Sequence, residues 1–194
     1  KWEEKFYTVM SQLLFLPNSP TLMNAGTANC QLSACFVLPV EDNMNAIFTS
    51  LKNAALIQQS GGGTGFNFSK LRPKDDFVNG SSGTASGPVL FMKIFDAATE
   101  NIKLGGKRRG ANMGILNADH PDIEEFISEK KEKGSLNNFN ISVGITDVFM
   151  KSVENNREWA LVDHNTKTVT QKVSAKKIWN DIVENAWQTG DPGL

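Results

Sequence analysis

Leu32-Ser33-Ala34-Cys35-Phe36-Val37-Leu38 and Gly61-Gly62-Gly63-Thr64-Gly65-Phe66-Asn67-Phe68-Ser69 bracket a stretch of helical periodicity, and that arrangement decides the fold class. The apolar parts of the two quoted runs, Cys35–Leu38 and Phe66–Phe68, read as short strands. Between them, residues 43–60 put Met44, Ile47, Phe48, Leu51 and Ala55 on one helical face, with Asp42 placed to cap the helix. Two strands joined by a full helix form a βαβ unit, so the class is α/β.

The same mixture continues on both sides. A helix should start at Pro88, where proline suits the first turn, and run to about Leu104 before Gly105. Met113–Leu116 and the alternating Phe139, Ile141, Val143 and Ile145 are further strand candidates. Short helices are expected near 121–131 and 146–154, a hairpin at 157–173 around Asp163-His164-Asn165, and a helix at 175–188 capped by Ser174. The opening KWEEKFYTVMSQLLFL groups Trp2, Phe6, Val9, Met10, Leu13 and Leu14 on one face of an amphipathic helix. It lacks an initiating Met, and TGDPGL follows the last helix without returning to a further element, so an internal piece of a longer polypeptide is expected.

Composition excludes several classes. The 194 residues carry 20 Lys+Arg against 21 Asp+Glu, which gives no overall drive towards nucleic acid. With 40% apolar residues, this is an ordinary globular chain of about one domain, able to bury roughly 70% of its unfolded surface. No apolar run approaches the ~20 residues of a membrane span, and no signal peptide is visible, so no membrane partner and a cytoplasmic location are expected.

Eleven of the sixteen glycines lie between residues 60 and 114. They form three segments: Gly61–Gly65, Gly80–Gly87, and Gly105-Gly106-Lys107-Arg108-Arg109-Gly110. Glycine lets backbone approach a ligand and presents N–H groups to anions. The segments also suit flexible turns, and none is a phosphate fingerprint: there is no Gly-Lys-Ser/Thr, and Phe66 occupies the last glycine position of G-x-G-x-x-G. Lys107-Arg108-Arg109 could complement a helix C-terminus, but a glycine-flanked loop better suits an arm closing over phosphates.

Two cysteines, Cys30 and Cys35, are too few for a disulfide scaffold or a self-contained zinc site. A cysteine in an apolar strand, as Cys35 is, usually acts as a small buried hydrophobe, and Cys30 reads as an incidental thiol. His120 and His164 are the only histidines and lack metal-ligand spacing relative to the cysteines, so no protein-bound metal site is expected.

Asn18-Ser19-Pro20-Thr21-Leu22-Met23-Asn24-Ala25-Gly26, then Leu32–Leu38, Gly61–Ser69 and Gly105–Met113 occur in an order and spacing that resembles the large catalytic chain of ribonucleotide reductases. LSACFVLPV, GGGTGFNFS and RRGANMGIL are most similar to the class II, adenosylcobalamin-dependent enzymes. The resemblance implies a ten-stranded α/β barrel of the reductase and glycyl-radical-enzyme type. Residues 1–194 would be its N-terminal portion, with no separate second domain. It implies that Cys35 is a reducing cysteine beneath the ribose, pairing with a second cysteine, and that Thr21, Ala34, Gly62 and Gly63 contact the ribonucleotide substrate. Asp42, Asn43, Met44, Arg72, Lys103 and Arg108 are implied at the site of a deoxynucleotide or ATP effector. The Gly80–Gly87 and Gly105–Met113 segments resemble the two specificity loops; Leu104 stands where the family has Gln and cannot hydrogen-bond a base edge.

The same resemblance implies a homodimer through the helices at 43–60 and 88–104, contact with the remainder of the barrel, and a thioredoxin-like reductant. The radical cysteine, its Asn and Glu neighbours, the second reducing cysteine and the C-terminal pair lie outside these residues, so this chain alone is expected to be inactive. Two other readings stay open: a non-catalytic regulatory nucleotide-binding module, and a class I enzyme with a separate radical-generating subunit.

Overall fold

The structure is a computed structural model describing residues 1–28, 30–77, 83–102, 110–131 and 134–194. Its centre is a sheet of four strands in the order β1-β2-β3-β4: β1 (Cys35–Leu38), β2 (Gly63–Asn67), β3 (Asn112–Asn117) and β4 (Phe139–Gly144). Every pairing is parallel, with Cys35 opposite Gly63, Thr64 opposite Asn112, and Asn112 opposite Phe139. The connections carry α3 (Met44–Gln59), α4 (Gly87–Asn101) and α5 (Ile123–Ser128), the last continued by a turn of 3-10 helix at Glu129–Lys131. Ahead of the sheet lie α1 (Trp2–Ser11) and α2 (Ser19–Asn24); after it come α6 (Asp147–Glu154), a hairpin of β5 (Glu158–Val162) and β6 (Val169–Ser174), and α7 (Ala175–Thr189).

Strands laid down in sequence with crossovers of one hand place all their helices on one face. The burial pattern agrees. Thr64, Phe66, Asn112, Leu116, Phe139, Ile141 and Val143 are buried on the helix side. Cys35, Val37, Asn67, Met113 and Asn140 on the opposite side are exposed, with Gly63, Gly65, Ile115 and Ser142 half-buried among them. Parallel sheets are ordinarily covered on both faces, and a bare inner face is what a segment of barrel wall presents.

The packed face is held by aromatics. Phe66 meets Phe95 edge-on at 4.9 Å between centroids, Phe68 meets Phe95 at 5.6 Å, and both approach Phe139 at 6.3–6.4 Å. Edge-to-face geometry adds about 0.5–1.5 kcal/mol per pair beyond area burial.

Several expectations need correction. The α3 cap is Asn43, whose side chain accepts from Ala46 N at 2.8 Å; Asp42 is drawn away by Arg72. The expected apolar face of α3 splits: Ile47 is buried and Leu51 and Ala55 are half-buried, while Met44 and Phe48 are exposed; the buried face runs instead through Ile47, Ser50, Ala54 and Gln58. Strand β2 starts at Gly63, three residues ahead of Phe66, because parallel pairing engages the glycine backbone, Gly63 N donating to Ala34 O at 2.7 Å. α4 ends at Asn101, and the expected continuation to Leu104 lies outside the described residues from Lys103 onwards. α1 stops at Ser11 and Leu13 adopts a positive φ, so the expected longer amphipathic helix is not formed. The chain also returns after α7: Gly193 N donates to Ile141 O and Gly193 O accepts from Val143 N, adding a fifth parallel position beside β4.

Replacing Phe66 with Ala should cost about 3–5 kcal/mol, because the aromatic cluster cannot close over the cavity. Denaturant unfolding of the wild-type and variant chains measures the difference.

Candidate functional site

Two groups of residues gather at opposite ends of the sheet. At its N-terminal edge, Cys35 begins β1 and is exposed on the bare face with a free thiol. The expectation of a small buried hydrophobe fails here, since β1 is an edge strand whose odd positions face the uncovered side. Gly63 lies directly across from Cys35, and Ala34 O accepts from Gly63 N. At Gly63 an added Cβ would meet nothing closer than 3.5 Å, so packing alone does not require a glycine there. Gly62 differs: its Cβ would sit 2.8 Å from both Ile57 Cγ2 and Phe36 Cε2, so it lets α3 turn tightly into β2.

Thr21 reaches this edge from α2. Its hydroxyl lies 2.9 Å from Leu32 O and 2.8 Å from Asn18 Oδ1, tying the helix to the segment entering β1. α2 was not foreseen; its signals were Asn18, which caps it by accepting from Thr21 N, and Pro20 in its first turn. Cys30, also free and exposed, has its Sγ 2.8 Å from Thr27 O.

At the C-terminal side of β1, Asp42, Asn43, Met44 and Arg72 line a single cavity of about 340 Å³. Ser86 and Gly87, from the Gly80–Gly87 segment, and Phe91 of α4 complete it; of these only Phe91 was not foreseen, and its signal was Pro88, which marks a helix starting there. Arg72 Nε donates to Asp42 Oδ2 at 2.8 Å and Arg72 N to Oδ1 at 3.2 Å. Asn165 from the hairpin turn donates to the same carboxylate at 3.2 Å. Asp42 also borders a second cavity of about 720 Å³, under the C-terminal ends of β1, β2 and β3, reached by His164, Asn165 and Lys167. Gly87 needs its glycine: φ is +75° and a Cβ would press on Asp122 and Lys74 at 2.9 Å. Lys103 and Arg108, and with them Leu104 and most of the Gly105–Met113 segment, lie outside the described residues, as do residues 80–82 of the Gly80–Gly87 segment.

The backbone bearing Arg72 is braced by His120. His120 Nε2 donates to Leu71 O at 2.9 Å while Nδ1 accepts from Asp122 N at 3.0 Å, which is the pattern of a neutral ring. Burial holds its pKa below the ordinary histidine value, outweighing the Leu71 carbonyl and the Asp122 charge. Burial also raises the Asp122 carboxyl, against the Lys74 N–H that stabilises its charged form.

A parallel α/β wall with a thiol on its bare face and an acid–arginine cavity at the other end of the same strand defines a class: the wall of a barrel enzyme domain with two separated candidate sites. Residues 33–194 match the family model for the ribonucleotide reductase barrel domain, and residues 1–30 that for the ribonucleotide reductase all-alpha domain. The chain belongs to the ribonucleotide reductase large-subunit family. It is 61% identical over 191 residues to the vitamin B12-dependent ribonucleoside-diphosphate reductase of Thermoplasma acidophilum, covering 98% of this chain and 25% of that protein. It is 47% identical over 195 residues to the protein of that name from Mycobacterium tuberculosis, covering 100% of this chain and 28% of the relative. The large subunit of ribonucleoside-diphosphate reductase from Dictyostelium discoideum is 33% identical over 215 residues, covering 96% and 25%. The chain thus spans about a quarter of the length of the curated relatives it matches.

An unfolded His120 takes up its proton near pH 6.5 and the folded one only at lower pH. Its contribution to stability is therefore complete above about pH 6.5 and is lost as pH falls towards the folded value. Asp122 acts oppositely, in the window between 3.8 and its raised value. His120→Phe should lose about 1–3 kcal/mol by orphaning the Leu71 carbonyl, and should flatten the stability profile below pH 6.5. Denaturation midpoints across pH 4–8 read both effects.

Proposed function

We propose that this chain is the portion of an adenosylcobalamin-dependent ribonucleoside-diphosphate reductase that binds the effector and part of the substrate. As the N-terminal part of the barrel, it would serve the reduction of ribonucleotides to deoxyribonucleotides under allosteric nucleotide control. The observation that carries this reading is the free, exposed Cys35 thiol opposite Gly63 on the bare sheet face. The B12-dependent relatives, at 61% and 47% identity, support it over a class I enzyme.

The chemistry asked of Cys35 is redox. Replacing the ribose hydroxyl by hydrogen consumes two thiols: R–OH + 2 R′–SH gives R–H, one disulfide and water. Cys35 supplies one sulfur, one electron and one hydrogen, and a cysteine beyond these residues supplies the rest. An exposed strand-end thiol can pair and be re-reduced by an external dithiol of the thioredoxin type. Gly63 leaves backbone exposed beside it, where a nucleotide can lie close, with Ala34 and Thr21 shaping the same edge.

Adenosylcobalamin, when bound, supplies the hydrogen-abstracting radical. No step of this chain's own is routed through it.

At the other cavity, Asp42 suits the hydroxyls of an effector ribose and Arg72 its phosphates, with Asn43 and Met44 forming the wall; Lys103 and Arg108 would close over it from the loop. Exposed Met44, Phe48 and Leu56 on α3, with Leu90 and Ile94 on α4, support a homodimer through these helices. Among the described residues, no helix is long and apolar enough to cross a membrane.

In the complete enzyme, Cys35→Ser should abolish deoxynucleotide formation with a dithiol reductant while leaving effector binding intact. Normal product formation would sink the assignment. Arg72→Ala should weaken binding of a deoxynucleoside triphosphate by about tenfold or more, as expected for loss of a charge-assisted contact of about 1.5–3 kcal/mol; calorimetry measures it.

A further inference from the structure

The turn joining β5 to β6 carries Asp163-His164-Asn165, and its bonding holds it in a single shape. Asp163 is buried beneath it. Its Oδ1 accepts from Asn165 N at 2.8 Å, its Oδ2 accepts from the Thr166 hydroxyl at 2.8 Å, and Lys167 N donates to Asp163 O at 2.8 Å. An aspartate that folds the following residues back onto its own carboxylate fixes the turn locally. Burial works to raise the Asp163 carboxyl, but the Thr166 hydroxyl and the Asn165 and Thr166 amides outweigh it and hold the group below its ordinary value.

The hairpin is also tied to the wall behind it. Val162 N donates to Asp119 O at 2.7 Å, Trp159 Nε1 donates to Ala118 O at 3.0 Å, and His164 Nε2 lies 3.0 Å from Asp119 Oδ1. The turn cannot shift without breaking bonds to the residues that follow β3.

From this fixed turn Asn165 extends to the loop after β1. Its Nδ2 donates to Asp42 Oδ2 and to Lys70 O, each at 3.2 Å. A carbonyl and an arginine-paired carboxylate can only accept, so the NH2 end of the amide must face them, and its two hydrogens serve both.

Asp42 therefore has three donors on two oxygens. Arg72 N reaches Oδ1 at 3.2 Å, while Arg72 Nε at 2.8 Å and Asn165 Nδ2 share Oδ2. With roughly four lone-pair sites on a carboxylate, Oδ2 is filled and Oδ1 keeps one open. Both Arg72 bonds come from one residue, so they leave the carboxylate free to swing with it. The third bond, from a separate element, removes that freedom. Asn165 acts from the far side: it borders the 720 Å³ cavity together with Asp42, whereas the lining of the 340 Å³ cavity includes Asp42 and Arg72 but not Asn165. A ligand in the smaller cavity would meet Asp42 and not the amide.

We propose that Asn165 is a positioning residue for nucleotide recognition: from the hairpin turn it holds the Asp42 carboxylate in the orientation that receives a ribose hydroxyl. The inference rests on the reading of the Asp42–Arg72 cavity as the effector site, and it adds the β5–β6 hairpin to the parts on which that site depends.

The test uses the complete reductase, titrated by calorimetry with dTTP and with dideoxythymidine triphosphate, which lacks the ribose hydroxyl. The wild-type enzyme should prefer dTTP by about tenfold or more, as expected for one charge-assisted hydrogen bond. Asn165 is exposed, so truncating it leaves no core cavity. Asn165→Ala should cut the preference by about three- to tenfold, leaving the dideoxy nucleotide within about twofold of its wild-type affinity. Asn165→Asp keeps the shape and the turn but sets an acceptor against Asp42, so it should cut the preference further. If the residue served only the turn, Asp would be the milder change, and that ranking overturns the inference. An unchanged preference in both variants, or equal weakening of the two nucleotides, also overturns it while the reading of the cavity stands. Equal binding of the two nucleotides by the wild-type enzyme removes the assignment of Asp42 to the ribose, and the inference falls with it.

Discussion

Everything in this fold depends on one topological constraint: four parallel strands in sequential order, with crossovers that all return over the same face. The constraint spends the whole hydrophobic driving force on one side. Phe66, Phe68, Phe95 and Phe139 interlock there beneath α3 and α4, and the buried residues of α5, α6 and α7 extend the same core. Among the described residues the other side receives no helix, so Cys35, Val37, Asn67, Met113 and Asn140 stay exposed on it. Gly193, bonded to both Ile141 and Val143, adds a fifth position in the same direction. The sheet therefore keeps advancing one way, as a barrel wall must, instead of reversing about a central strand as a doubly wound sheet does.

The same constraint explains the separation of the two candidate sites. A parallel strand has all its entrances at one edge of the sheet and all its exits at the other. Cys35 enters β1 and Asp42 follows its exit, so seven residues carry the chain from a thiol on the bare face to a carboxylate paired with Arg72. Helix α3 then runs back over the sheet and returns the chain to the entrance edge at Gly62 and Gly63. A strand and its crossover helix thus visit both sites in turn, and the polar cluster at Gln58 lies where that circuit closes. Burying Gln58, Thr64, Thr99 and Asn112 there is costly unless they satisfy one another. Among the described residues, all but Gln58 Oε1 do.

Much of this was legible in the sequence, and the pattern of success is physical. β1, the β1–α3–β2 unit, α7 and its Ser174 cap follow from local periodicity and capping chemistry, so they lie where expected. The errors lie where a longer-range partner intervened. Asp42 looks like a cap in isolation, but Arg72, thirty residues on, claims its carboxylate and Asn43 caps instead. Met44, Phe48 and Leu56 carry apolar side chains on the outer surface of α3, which helical periodicity alone cannot tell from the inner one. The Gln58–Asn112 contact spans 54 residues and no local motif announces it. The motifs carried the family resemblance, and the family models match residues 1–30 and 33–194.

The clustered glycines divide on steric grounds. Gly62, Gly110 and Gly114 are hemmed in: a Cβ would lie 2.8 Å from Ile57, 2.7 Å from Thr99 and 2.6 Å from Met92. These glycines serve the packed face, letting helices and strands approach more closely than any side chain would permit. Gly63 and Gly65 have ordinary φ values and room for a methyl group, with nearest contacts of 3.5 and 3.7 Å. The core does not need them, and both point to the bare side, beside Cys35 and Val37. A glycine that internal packing does not require, on a face no helix covers, leaves backbone exposed for something outside the core. That distinction, which composition alone cannot make, separates the open glycines of β2, on the bare face beside β1, from the glycines that the packed face requires.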